Sequence, residues 1–150
     1  MGFPVLARRD ELLLGGTALL GAAVAIGLFL STQYIIAEKR PGLYQKTGLI
    51  HGLFAASGLA LVVLGLGGPS RGVRFGSAGF GPAAAWIAGA TLLGGLTILA
   101  NYWRRRAPPM GLLAAHSLAG ILAYTLLAVY LTMALITPST AHLALPMAGR

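Results

Sequence analysis

Two histidines carry most of the chemical interest of this 150-residue chain. His51 lies in Lys46-Thr47-Gly48-Leu49-Ile50-His51-Gly52, and His116 lies in Met110-Gly111-Leu112-Leu113-Ala114-Ala115-His116-Ser117. Each sits a turn or two inside a long apolar run, and no other readily ionisable side chain falls within such a run. An imidazole can ligate a metal, move a proton or hydrogen-bond across helices. Placing a polar ring at that depth in hydrocarbon is costly, which makes an intramembrane histidine a functional-site candidate by default.

The elements that must position these rings follow from composition. The chain is 57% hydrophobic and only 9% charged, too little charge to cover a water-soluble domain. Four apolar runs, at about residues 12–36, 46–66, 82–103 and 110–136, are long enough to cross a bilayer as helices. The expected fold class is all-α: one integral membrane four-helix bundle, up-down-up-down, with a polar tail at 138–150 that holds a solvated His142. Arg8-Arg9 ahead of the first run superficially resembles a twin-arginine export signal, but the run is too long for a signal's core and is expected to be a retained span. The formal charge is +8. Its eleven Lys and Arg are spread over short connectors, as lipid headgroups require, so no nucleic-acid face is expected. There is no cysteine, which excludes disulfides, iron–sulfur clusters, thiolate haem ligation and cysteine nucleophiles.

Short connectors make spans two and four parallel. At about 1.5 Å of rise per residue, His51 lies roughly 8 Å beyond Lys46 and His116 roughly 10 Å beyond Pro109, so both rings reach nearly the same depth. Two neutral imidazoles at one depth suit the axial ligation of one haem b held between spans two and four. Ala55 and Gly58 follow His51, and Gly120 and Ala123 follow His116, at helical spacing; these small residues would give a flat macrocycle room. Arg40, Lys46, Arg104 and Arg105, with Lys39 and Arg106, lie on the histidine side and would pair with its propionates. Two histidines with no carboxylate or thiol nearby make a poor zinc site.

A weak repeat relates the two halves. Thr17-Ala18-Leu19-Leu20-Gly21 matches Thr91-Leu92-Leu93-Gly94, and Gln33-Tyr34 matches Asn101-Tyr102. Basic residues, proline and glycine then precede each histidine-bearing span. A shared glycine- and alanine-rich composition would produce the same likeness. A true repeat would be a parallel duplication of one hairpin about an axis along the membrane normal.

At these residues the chain resembles the four-helix membrane b-type cytochromes, in which histidines on neighbouring transmembrane helices ligate haem. The resemblance implies an electron-transfer function. Relatives that carry electrons across the whole bilayer hold two haems and four histidines. Two histidines here imply at most one haem near one face, exchanging electrons with a quinone or a partner membrane subunit. Tyr44, Tyr102 and Trp103 could border a quinone headgroup, or serve only as interfacial anchors. Other readings are a cofactor-free accessory subunit or homo-oligomer within a larger membrane complex, and a pigment protein in which each histidine ligates a chlorophyll magnesium. A small multidrug transporter needs an intramembrane carboxylate, whereas Asp10 and Glu11 sit only at a span's edge. The connector charges lean toward a cytoplasmic histidine side, in what is expected to be a bacterial inner membrane.

Overall fold

A computed structural model of the protein describes residues 3–36, 41–67, 73 and 76–136. Four helices account for nearly all of them: α1 (Phe3–Ile36), α2 (Pro41–Leu66), α3 (Phe80–Trp103) and α4 (Met110–Ile136). Each contains a segment long and apolar enough to cross a membrane, at Arg9–Tyr34, Gln45–Leu66, Phe80–Trp103 and Met110–Ala134. The chain is an all-α integral membrane protein of four spans. Bilayer hydrocarbon leaves backbone groups no water to bond, so helices satisfy them internally. The threonines follow the same rule. Thr17, Thr32, Thr91, Thr97, Thr125 and Thr132 each donate to the carbonyl four residues back.

The helix starts and stops have local causes. Pro41 and Gly42 lie in the first turn of α2, where proline's missing N–H is no loss. At the other end of α3, Arg105 N–H donates to the Tyr102 carbonyl and Arg106 N–H to that of Asn101, the two bonds of a Schellman cap. The residue in the left-handed position is Arg105, with φ of 56°. Glycine usually stands there, and a side chain costs roughly 1–2 kcal/mol.

α1 packs on α2 and α4, and α3 packs on α4 and α2, most extensively within the hairpins α1–α2 and α3–α4. The two histidine helices therefore occupy one diagonal of the bundle. Lipid tails are as apolar as leucine, so close approach must hold the helices together. A Cβ on Gly16 would lie 2.8 Å from the Gly58 carbonyl oxygen, and one on Gly58 would lie 2.9 Å from that of Gly16. The backbones of α1 and α2 meet there. Leu13, Val62, Ala84, Leu127 and Tyr130 form the buried core, all toward the end of the bundle remote from the histidines. Trp86, Leu93 and Leu118 are among the large apolar side chains that face outward, as a lipid environment requires.

The contacts between helices obey a two-fold register. Ala23 and Thr91 occupy equivalent places 68 positions apart, as do Gly27 and Gly95; His51 and His116 are 65 apart. Leu13 fills the space beside Gly65 in the first hairpin, and at the equivalent place Tyr130 fills the space beside Gly81 with the sizes exchanged. Gly21 against Tyr124 is likewise matched by Gly89 against Leu59. Tyr34 aligns with Tyr102 in this register. Thr17 does not align with Thr91: Ala23 does, so the threonine match seen in the sequence is a coincidence of composition.

Candidate functional site

The histidine end of the bundle is hollow. A cavity of about 550 Å³ lies among all four helices, within the size range of cofactor sites. It extends from Leu20 and Tyr124 to Tyr34 and Tyr102 at its mouth, its walls are mostly apolar, and it is open at the side, where exposed Leu96, Met110 and Leu118 line it.

Both histidines line it. Their ring centroids are 5.9 Å apart and their planes meet at 70°. His51 Nδ1 lies 2.8 Å from the Ala23 carbonyl oxygen on α1, and His116 Nδ1 lies 3.0 Å from the Thr91 carbonyl oxygen on α3. A carbonyl oxygen can only accept, so each Nδ1 carries the proton and donates it. In the neutral ring the lone pair is then on Nε2. Metal-binding histidines are oriented in this way by a carbonyl on the nitrogen that does not bind the metal.

Glycines make the approach possible. A Cβ on Gly27 would stand 3.0 Å from His51 Cε1, and one on Gly95 would stand 3.0 Å from His116 Cε1. Each imidazole thus lies over a glycine one turn beyond the carbonyl it bonds. Gly27 and Gly95 were not among the site residues legible in the sequence. Their signal is the spacing to Tyr34 and Tyr102, seven residues on in both halves, and it acquires meaning only once the register is known.

The remaining sequence candidates fall in several places. Ala55, Gly120 and Ala123 line the cavity, Ala123 being nearly fully buried. Gly58 does not belong to the cavity wall: its bare Cα accommodates the backbone of α1 at Gly16 and the side chain of Leu20. Lys46, Arg104, Arg105 and Arg106 are exposed at the histidine end, outside the cavity lining. Arg40 and Lys39 lie outside the described residues, as does His142. Tyr102 lines the mouth, while Trp103 is exposed; Tyr44 belongs to the first turn of α2.

The donor set can be tested against the cofactors it would serve. Among the described residues no group of three or more His, Cys, Asp or Glu comes together, which is too few for a tetrahedral zinc site. The two rings, 5.9 Å apart between centroids, are the only His, Cys, Asp or Glu side chains among the described residues that line the cavity. The open volume around the pair is what a macrocycle needs and a bare ion does not. The donor set, two imidazoles beside a mostly apolar cavity, does not conflict with a bis-histidine tetrapyrrole. Comparison with protein-family models, with curated proteins and with solved structures finds no match to this chain.

Proposed function

We propose that this protein is a single-haem membrane cytochrome of the b type, whose haem His51 and His116 would hold. It would pass electrons at one side of a bacterial inner membrane to or from a quinone or a partner subunit. The observation that carries this reading is the imidazole pair: 5.9 Å between centroids, with each Nδ1 proton given to a backbone carbonyl of the neighbouring helix.

Haem b, when bound, supplies reversible one-electron chemistry at neutral imidazole ligands. The chain's residues do the rest. The Ala23 and Thr91 carbonyls hold the rings in the ligating tautomer and raise their basicity. Gly27 and Gly95 let the rings lie close to α1 and α3, and Ala55, Gly120 and Ala123 keep the space between the helices open. No carboxylate lines the cavity.

The test is an absorption spectrum of the detergent-purified protein, oxidised and then dithionite-reduced, beside His51→Ala, His116→Ala and His142→Ala. A Soret band with resolved reduced-state bands, lost in the first two variants and kept in the third, is the expected result. A colourless protein that takes up no added haem would overturn the reading and favour the accessory subunit.

A further inference from the structure

We infer that the arginine-bearing end of the bundle is a docking face for a soluble redox protein with an acidic surface. This inference rests on the haem reading and names the partner class that such a site would serve.

Depth selects the end. At about 1.5 Å per residue, His51 lies roughly 8 Å from Lys46 but roughly 22 Å from Leu66, and His116 roughly 9 Å from Met110 but roughly 30 Å from Ile136. Electron tunnelling weakens steeply with distance, so a redox centre at the imidazoles communicates with water at the near end. Charge selects the partner. Lys46, Arg104, Arg105 and Arg106 are all exposed there, and the acidic side chains among the described residues, Asp10 and Glu11, belong to the opposite end. Complementary charge steers encounter and raises association rates at low salt.

Headgroup binding alone would explain basic residues at a membrane surface, but it does not explain Arg105. The Schellman cap of α3 puts Arg105 at φ 56°, a place where glycine would relieve the backbone. Strain kept at a residue points to a use for its side chain. Arg104, Arg105 and Arg106 are consecutive and all exposed in the short connector that follows Tyr102, which lines the cavity. An arginine run of this kind suits carboxylates on a protein surface.

The experiment uses the haem-loaded protein in neutral phosphatidylcholine nanodiscs, reduced and mixed by stopped flow with ferric cytochrome c. One electron passes from the reduced protein to the cytochrome. Native basic cytochrome c and its succinylated, acidic form are compared. At low ionic strength the acidic form should react at least about tenfold faster, and the advantage should shrink as salt shortens the screening length from about 30 Å at 0.01 M to about 8 Å at 0.15 M. Arg104→Glu, Arg105→Glu and Arg106→Glu combined should reverse the preference with the spectrum unchanged. Arg105→Gly should slow the acidic partner while raising thermal stability, a pair of opposite changes that a purely structural arginine would not give; Arg105→Lys should restore most of the rate. Equal rates for the two cytochromes, or indifference to the triple reversal, would overturn the inference. A colourless protein removes the haem reading as well, whereas a coloured protein blind to partner charge removes this inference alone.

Discussion

Replacing Gly27 by alanine should loosen the His51 imidazole without removing it. The new methyl group would stand 3.0 Å from Cε1, where ordinary contact begins at 3.4 Å. The ring must therefore withdraw by about 0.4 Å, or α1 must bend away. Either movement lengthens the 2.8 Å bond from Nδ1 to the Ala23 carbonyl, a bond worth about 0.5–1.5 kcal/mol. Perturbing the partner that orients a metal-binding histidine typically reduces metal affinity by about 10–100-fold. A less basic imidazole favours the ferric form less, so a tenfold loss confined to that form would raise the midpoint potential by about 59 mV. Haem content per protein, from the pyridine haemochrome, and a redox titration measure both effects. Gly95→Ala should repeat them through His116, since the contact distance is the same. Gly111→Ala, with nothing within 4 Å of the added carbon, should leave both unchanged. Wild-type haem content and potential in Gly27→Ala and Gly95→Ala, together with normal loading of Gly27→Leu, would refute the reasoning.

Other outcomes follow from other contacts. Gly16→Leu forces a side chain into the Gly58 carbonyl and should cost at least the roughly 1–3 kcal/mol of an overpacked core, seen as a lower unfolding temperature in detergent. Ser117→Ala removes a long 3.4 Å contact with Ser31 and should cost no more than about 0.6 kcal/mol, the average for interhelical hydrogen bonds in membranes, by denaturant titration in micelles. Tyr124→Phe should change stability by less than about 0.5 kcal/mol, because its hydroxyl makes no hydrogen bond among the described residues; a larger loss in the same titration would reveal a partner.

The architecture was legible in the sequence because a bilayer punishes exceptions. Apolar length fixed the four spans to within a few residues, as the near match of 46–66 to Gln45–Leu66 illustrates. The common depth of His51 and His116 followed from helical rise and from connectors too short to reverse a span. What lay beyond reach was which neighbour each ring would touch. The Ala23 and Thr91 carbonyls belong to backbone and carry no sequence signal, and Gly27 and Gly95 are two glycines among 22. Gly58 illustrates the same limit: in a stripe of small residues, spacing cannot separate a glycine that faces a cavity from one that, like Gly58, meets a neighbouring helix. The repeat was visible through Gln33-Tyr34 and Asn101-Tyr102, yet its register was hidden by the spurious threonine match.

The bundle is dense at one end and hollow at the other, and this divides the labour of the residues by depth. Leu13, Val62, Leu127 and Tyr130 interlock whether or not anything occupies the space above them. The packed far end holds the four helices to one another without help from the cavity, so a guest between the histidines would not be needed for the helices to associate. Assembly and loading become separate events. The same added methyl group then has two different consequences along one helix: at Gly16 it is a lesion in folding, and at Gly27, three turns on, it is a lesion in colour.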